Sequence, residues 1–186
     1  MPKKGEPKKL VVKQQELKSV KRKPVISASS VETFLKIGQT APAFSLPDES
    51  GEMVSLKSFK GKKIILYFYP KDHTPGCTQE SCDFRDNFSK GKGSKLVVFG
   101  ISRDSVASHQ KFKTKLDLPY SLLSDEAGKV CEAFGVWKEK TLYGRKYMGI
   151  ERTTFLIDEK GKVALIYPKV SVKGHVDKIL EDLKKL

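Results

Sequence analysis

Two apolar segments constrain the fold of this 186-residue chain more than any other feature. Residues 63–69 (KIILYFY) and 95–101 (KLVVFGI) are almost continuously apolar and do not alternate with polar residues. Such runs are typical of central strands that are covered on both faces of a sheet. A helical pattern over 76–88 separates them, and a second one over 105–116 follows. The order strand, helix, strand, helix predicts parallel strands joined by crossover connections.

The C-terminal part of the chain adds antiparallel strands to this sheet. Residues 153–157 and 162–167 have strand composition and are joined by the short turn DEKG, which predicts a hairpin. Apolar residues at helical spacing over 176–186 predict an amphipathic helix that covers one face. Residues 43–46 and 53–56 flank a turn that contains Pro and Gly, which predicts a second hairpin. The predicted fold class is α/β, with a mixed central sheet flanked by helices and an N-terminal β-hairpin.

The net charge of +14 is concentrated at the N-terminus. Residues 1–30 hold nine Lys or Arg and two acids, a balance of +7, and residues 31–186 hold 27 bases and 20 acids, again +7. The second part mixes both signs, as solvated surfaces do. We predict a flexible basic N-terminal arm over residues 1–33 and a single domain over residues 34–186.

The arm leaves an alternative function open. Its segment 18–24 (KSVKRKP) suits a nucleic-acid contact or a nuclear address, although a solvated tail is the simpler interpretation. The chain has no run of 18 or more apolar residues and no apolar stretch of signal-peptide type. We therefore expect a cytoplasmic protein that does not engage a membrane, with a nuclear nucleic-acid-binding protein as the alternative.

Two cysteines five residues apart carry the chemistry that the sequence indicates. Cys77 follows a strand and a Pro-Gly turn at the start of the predicted helix, where unpaired backbone amides stabilise a thiolate. Cys82 lies about one and a half turns further along. A reactive thiolate with a second thiol nearby is typical of a redox catalyst that is oxidised first and forms a disulfide afterwards. Three cysteines are too few for a structural disulfide framework.

An intact helix keeps these two cysteines apart. Five residues advance an ideal helix by roughly 7.5 Å and rotate it by about 140°, so the two Cα atoms are on the order of 8.5 Å apart. A disulfide needs them within about 7 Å, with converging side chains. A bond between Cys77 and Cys82 therefore requires partial unwinding, and Gly76 and the turn at Pro75 make the N-terminal end the easiest place to open.

Two further side chains suit the activation of Cys77. Thr74, three positions upstream, has a hydroxyl that can hydrogen-bond the sulfur or an oxygen of an incoming peroxide. Arg152, just ahead of a predicted strand, is the best-placed cation, although spacing alone does not establish a contact. His73 is interpreted as an exposed loop residue, since a thiolate needs no general base.

Two other chemistries suit cysteine pairs in general but suit this pair poorly. A zinc site needs a second pair of ligands, and His73 and Cys131 would have to come from distant places. Disulfide-exchange enzymes use a C-x-x-C pair, which bridges with little backbone change. Cys131 is interpreted as a core residue on the apolar face of a helix. No metal and no cofactor are predicted.

The residues around Cys77 match a known signature. The pattern Pro70-x-x-x-Thr74-x-x-Cys77 resembles the active-site motif of peroxiredoxins, and Cys82 with the following FRD resembles the bacterioferritin-comigratory, or Q, subfamily. The similarity extends over roughly residues 37–186, through the segments YFYPK, LPY, LLSD, GVW and ERTTF. It implies a thioredoxin-like fold and the reduction of hydroperoxides, with electrons returned by thioredoxin or a similar dithiol donor.

The same resemblance implies roles by position. Cys77 would be the peroxidatic nucleophile that becomes a sulfenic acid, and Cys82 would resolve it as an intramolecular disulfide. Thr74 and Arg152 would orient and polarise the peroxide, and Pro70 would shield the sulfenic acid from water. The resemblance favours a monomer, and it does not extend to the basic arm.

Overall fold

The computed structural model describes Met1 and residues 35–88 and 96–185. The predicted basic arm, apart from Met1, lies outside the described residues and stays a prediction. The described chain contains, in order, β1 (Ser45–Pro47), β2 (Met53–Ser55), β3 (Lys63–Phe68), α1 (Pro75–Phe88), β4 (Leu96–Ser102), α2 (Val106–Leu116), β5 (Ser121–Ser124), α3 (Lys129–Ala133), β6 (Trp137–Leu142), β7 (Arg145–Ile150), β8 (Thr153–Ile157), β9 (Val163–Tyr167) and α4 (His175–Leu183), with one 3-10 turn at Leu56–Phe59. No helix in these stretches is long and apolar enough to cross a membrane.

Five strands form the central sheet, in the order β5-β4-β3-β8-β9. β4 runs parallel to both β3 and β5, whereas β8 runs antiparallel to both β3 and β9. The sheet is therefore mixed, which confirms the prediction. β3 lies at its centre, and every residue from Ile64 to Phe68 is buried. This burial explains the apolar run, because a strand covered on both faces has no solvent-facing side.

Alternate side chains of β3 enter two separate core clusters. Ile65 and Tyr67 pack with side chains of α1, α2 and α4, which cover one face of the sheet. Leu66 and Phe68 pack with side chains of α3 and of the β1–β2 hairpin on the other face. Successive side chains of a strand point to opposite faces, so this single run contributes to both cores.

The predicted elements are present, with small shifts at their ends. α1 begins at Pro75, one residue earlier than predicted, and Ser105 caps α2 by accepting a backbone hydrogen bond. The N-terminal hairpin is also present, but its first strand is Ser45–Pro47 and not residues 43–46. Leu56 begins the 3-10 turn and does not belong to β2.

The sequence patterns did not reveal β5 or the β6–β7 hairpin, whereas α3 is the helix on which Cys131 was expected. Most residues of β6 and β7 are exposed or half-buried and many are charged, so neither strand shows a buried apolar run. Tyr143 and Gly144 join them with φ values of 48° and 76°, as in tight hairpin turns. This hairpin bears on the site described next, because β7 ends two residues before Arg152.

Candidate active site

Cys77 lies at the start of the helix that follows the central strand. β3 ends at Phe68, residues 69–74 form a loop, and α1 begins at Pro75. Proline suits this first helical position, because an amide there would have no helical partner. Cys77 is the third residue of α1 and is 1% exposed. Its thiol is therefore close to the unpaired amides of the first turn.

The strand β8 brings Arg152 to the same place. Thr153, the first residue of β8, pairs with Phe68 at the end of β3, so Arg152 lies beside the loop that leads into α1. Nη2 of Arg152 donates a hydrogen bond to Sγ of Cys77 over 3.2 Å. The carbonyl of Arg152 accepts a hydrogen bond from the amide of Val170 at 2.9 Å, which fixes its backbone. The structure thus brings together two residues that the sequence could not place in contact.

Glu80 is a site residue that the sequence reasoning missed. It lies three residues after Cys77 on α1, is completely buried and forms an ion pair with Nη1 of Arg152. The guanidinium is therefore held between a carboxylate and a sulfur. Among the described residues, Oε1 of Glu80 has no hydrogen-bond partner. The sequence signal that could have indicated Glu80 is its spacing from Cys77, since residues three apart share one face of a helix.

Burial and charge oppose each other in the pair of Glu80 and Arg152. Burial raises the pKa of Glu80 to about 7, although the charge and hydrogen bond of Arg152 lower it. Burial also lowers the pKa of Arg152, but the charges of Glu80 and Cys77 outweigh this effect and hold it above its usual value. Arg152 therefore stays charged in a half-buried place, where a cation stabilises a thiolate at Cys77.

Thr74 and Pro70 lie on the loop that leads to Cys77. The hydroxyl of Thr74 donates a hydrogen bond to the carbonyl of Lys71 at 3.0 Å. Because its proton is engaged there, the oxygen of Thr74 is left as an acceptor for another O–H group. Pro70 directly follows the buried Tyr69 and is itself exposed.

Cys77 and Cys82 are free thiols on one continuous helix. Cys77 is buried, whereas Cys82 is partly exposed. Since α1 is intact from Pro75 to Phe88, ideal helix geometry keeps the two sulfurs from bonding. The structure therefore corresponds to a reduced state.

A second cation, Lys140, reaches the site from the β6–β7 hairpin. Its ammonium donates a hydrogen bond to the carbonyl of Ile150. Burial lowers the pKa of Lys140; the charge of Arg152 also lowers it, whereas those of Glu151 and Cys77 raise it. Two cations, Arg152 and Lys140, thus act on Cys77, and the carboxylates of Glu80 and Glu151 lie beside them. In the part of the chain that the structure describes, no group of three or more His, Cys, Asp or Glu side chains could hold a metal ion.

The remaining candidates lie away from the reacting sulfur. Cys131 is completely buried on α3, and its thiol has a raised pKa because of burial and of the neighbouring Asp125. Such a thiol stays protonated and unreactive. His73 is exposed, and its ring packs edge-on against Phe112 with 5.0 Å between ring centres. Both observations agree with the interpretations made from the sequence.

Comparison with known proteins identifies the family. Residues 37–166 match the model of the AhpC/TSA family. The chain belongs to this family of peroxiredoxins. It is 56% identical over 146 residues to a putative peroxiredoxin Bcp of Coxiella burnetii, covering 78% of this chain and 97% of the relative. Peroxiredoxin Bcp of Bacillus subtilis is 51% identical over 152 residues, or 82% of this chain and 97% of the relative.

A solved structure supports the same conclusion. The bacterioferritin comigratory protein of Xanthomonas campestris, whose alkyl peroxide reduction was studied in trapped intermediate and ligand complexes, superposes on this peroxiredoxin with a TM-score of 0.75. The two are 39% identical, and the match covers 81% of this chain and 96% of that one. This peroxiredoxin is therefore of the Bcp, or Q, type, with a thioredoxin-like fold. It is a thiol peroxidase, with a peroxide as substrate and a thiol as reductant, and the resemblance stated from sequence is confirmed.

Proposed function

We propose that this peroxiredoxin reduces hydrogen peroxide and organic hydroperoxides with Cys77 as the nucleophile and Cys82 as the resolving thiol. The observation that carries the proposal is the 3.2 Å hydrogen bond from Arg152 to the sulfur of Cys77. The hydrogen bond aims a fixed positive charge at a thiol in the first turn of α1, and that helix also carries Cys82.

In the first step, the thiolate of Cys77 attacks the terminal oxygen of the peroxide. A sulfur–oxygen bond forms while the oxygen–oxygen bond breaks, so the sulfur is oxidised to a sulfenic acid. The leaving oxygen departs as an alkoxide, or as hydroxide from hydrogen peroxide, and takes a proton from water. Arg152 donates to the oxygen on which charge develops, which is the kind of contact that lowers a barrier. Thr74 accepts the O–H of the peroxide, because its own proton is engaged with Lys71.

In the second step, the thiol of Cys82 attacks the sulfenic sulfur. A disulfide forms and water leaves, so one peroxide has oxidised two thiols. α1 must unwind in part for this step, since the intact helix holds the two residues apart. Thioredoxin, or a similar dithiol protein, then returns two electrons by thiol–disulfide exchange.

Pro70 completes the proposed set of site residues. It follows the buried Tyr69 on the loop that leads to Cys77, and it has no N–H to bind water. We assign it the task of shielding the sulfenic acid from water and from further oxidation.

The setting in the cell is proposed from the relatives. The matched relatives are bacterial proteins, which supports a cytoplasmic location. The alternative of a nuclear, nucleic-acid-binding protein depends on the basic arm, which lies outside the described residues. A monomer is proposed from the family, and light scattering coupled to size-exclusion chromatography tests it.

Three single serine variants test the assignment of the cysteines. Cys77→Ser should abolish peroxide consumption. Cys82→Ser should consume one equivalent and stop with a sulfenic acid, or with a disulfide between two molecules. Cys131→Ser is the matched control and should turn over as the wild type does. Normal activity of Cys77→Ser, or normal cycling of Cys82→Ser with thioredoxin, would contradict the proposal.

A further inference from the structure

Two groups of buried polar side chains hold the backbone on either side of Cys77. One is centred on Asp72 in the loop before α1, and the other on Ser81 within α1. Neither group contacts the reacting sulfur through a hydrogen bond of the described structure. Their positions bear on how α1 opens.

The first group fixes the loop at Asp72, which is 3% exposed. Its Oδ1 accepts a hydrogen bond from the hydroxyl of Tyr69 at 2.8 Å. Its Oδ2 accepts from the hydroxyl of Ser108 at 2.7 Å and from Nδ1 of His109 at 2.9 Å. The amide of Asp72 donates to Oδ2 of Asp104 at 2.8 Å. The loop is thereby tied to the end of β3 and to the start of α2.

The contact between Asp72 and His109 is a buried hydrogen bond. His109 is completely buried, and its Nε2 lies 3.3 Å from the carbonyl oxygen of Leu123. Burial raises the pKa of Asp72, but hydrogen bonds from His109, Ser108 and Tyr69 bring it below its usual value. Separating Asp72 from these donors leaves a buried carboxylate without partners, which is strongly unfavourable.

The second group fixes α1 at Ser81, which is completely buried. The hydroxyl of Tyr120 donates to the carbonyl of Ser81 at 2.8 Å. The hydroxyl of Tyr67 lies 3.1 Å from that of Tyr120 and 3.1 Å from that of Ser81. Since the proton of Tyr120 is engaged with the carbonyl, Tyr67 donates to Tyr120 and Ser81 donates to Tyr67. This closed set of hydrogen bonds, with Phe84 stacked on the ring of Tyr67, holds α1 to β3.

The stretch between these two groups is easier to open. His73 has a φ of 60°, a conformation that a residue with a side chain adopts only when its surroundings impose it. Gly76 weakens the first turn of α1, because glycine favours helix less than any residue except proline. Oxidation of Cys77 also changes the sulfur to which Arg152 donates, and so alters one of the interactions that hold this stretch.

We propose that Asp72 and Ser81 are fixed points of the chain, and that the opening of α1 during catalysis is confined to residues 73–80 between them. Cys82 directly follows Ser81 and so stays in place, while Cys77 moves to it. The four Cα-to-Cα steps from Cys77 to Ser81 span at most about 14 Å when extended, which is ample to bring the two cysteines within bonding distance. This inference rests on the proposed disulfide between Cys77 and Cys82.

Amide hydrogen exchange of the oxidised protein, resolved by residue with NMR, tests the inference. The protein is oxidised with one equivalent of peroxide, and the disulfide is mapped on the same sample. In a helix each amide bonds the carbonyl four residues earlier, so opening of residues 73–80 frees the helical amides up to Phe84. We expect the amides of Thr78 to Phe84 to exchange at least about tenfold faster than in the reduced protein. The amides of Asp72 and Arg85 should stay within about threefold of their reduced rates.

Three tyrosine-to-phenylalanine variants show whether the two groups set these limits. Tyr120→Phe removes the hydrogen bond to Ser81, so the amide of Arg85 should exchange about fivefold faster in the oxidised variant than in the oxidised wild type. Tyr69→Phe removes a hydrogen bond to Asp72 and should have a similar effect on the amide of Asp72. Tyr167→Phe is the matched control, because it removes a partly buried hydroxyl that donates a hydrogen bond to Asp182 on α4. It should change the exchange of neither the Asp72 amide nor the Arg85 amide. Thermal unfolding confirms that each variant is folded.

The outcomes separate this inference from the proposed function. If no disulfide joins Cys77 and Cys82, the proposed function fails and the inference fails with it. If the disulfide forms but the amide of Arg85 or Asp72 loses protection as fully as that of Thr78, the inference alone is wrong. It is also wrong if Tyr120→Phe and Tyr69→Phe behave as Tyr167→Phe does.

Discussion

Nη2 of Arg152 donates a hydrogen bond to Sγ of Cys77 over 3.2 Å, while Nη1 of the same guanidinium is paired with Glu80. One planar group therefore joins the sulfur to a buried carboxylate. This arrangement needs the fork of an arginine, because a lysine ammonium is a single point of charge. Because β8 begins at the residue after Arg152, the position of β8 determines where this positive charge lies in the site.

Replacement of Arg152 by lysine should slow the reaction with peroxide. Arg152→Lys keeps a charge but loses the fork that contacts both partners, so we expect the second-order rate constant to fall roughly 10²- to 10³-fold, as for loss of a donor to developing charge. Stopped-flow oxidation of the reduced protein measures it. The control is Arg145→Lys, the same change at an exposed position of β7, which should react as the wild type does. Equal rate constants for the two variants would show that Arg152 does not assist the reaction with peroxide.

The buried Glu80 should make stability fall as the pH rises. Burial raises its pKa from 4.5 to about 7, so the folded state binds the proton more tightly than the unfolded state. The contribution of Glu80 to the free energy of unfolding is complete below pH 4.5 and is lost as the pH rises through about 7. Urea unfolding across this range should therefore show the wild type losing stability relative to Glu80→Gln. A difference between the two proteins that does not change with pH would show that Glu80 keeps its ordinary pKa.

His175 should produce the opposite slope in a more acidic range. Burial, together with the charges of Arg152 and Lys178, lowers its pKa from 6.5 to about 4. The unfolded state then binds the proton more tightly. The contribution of neutral His175 to stability is therefore complete above pH 6.5 and is lost as the pH falls towards 4. His175→Gln keeps a partner for the hydroxyl of Thr154, which lies 2.8 Å from Nε2. In urea titrations this variant should lose less stability than the wild type between pH 6.5 and 4.5; parallel curves would be inconsistent with a neutral buried His175.

Stiffening the first turn of α1 should slow disulfide formation without slowing peroxide reduction. Gly76→Ala raises helix stability by up to about 1 kcal/mol, which corresponds to about fivefold slower opening. A Cβ at this position would lie 3.4 Å from Nη2 of Arg152, an ordinary contact, so the first step should be nearly unchanged. The two steps appear as separate phases in stopped-flow fluorescence. Thr114→Ala, a substitution within α2, is the control and should alter neither phase; a slower first phase in Gly76→Ala would mean that the new methyl group displaces Arg152.

The central strands and the cysteine helix could be predicted because their signals are local. Burial on both faces leaves a continuous apolar run in β3, and the thiols of Cys77 and Cys82 stand in a recognisable pattern within one helix. The β6–β7 hairpin could not be predicted, since its exposed strands have no apolar periodicity and only the turn at Tyr143 and Gly144 marks it.

The contacts that complete the site are long-range, and the sequence does not show them. Glu80 looks like a solvent-facing acid on a helix until Arg152, which pairs with it from the start of β8, is placed by the register of that strand. Asp72 and His109 are 37 residues apart and meet only because α2 packs beside the loop before α1. Motif spacing identified the reacting thiols, but it could not identify the residues that hold them in position.

Whole-protein mass spectrometry after one equivalent of peroxide tests the central claim most directly. We predict that the mass of the reduced protein falls by about two mass units, as for a single disulfide, and that peptide mapping joins Cys77 to Cys82 while Cys131 stays a free thiol. A disulfide that includes Cys131, or a stable gain of one oxygen with no disulfide, would contradict the account.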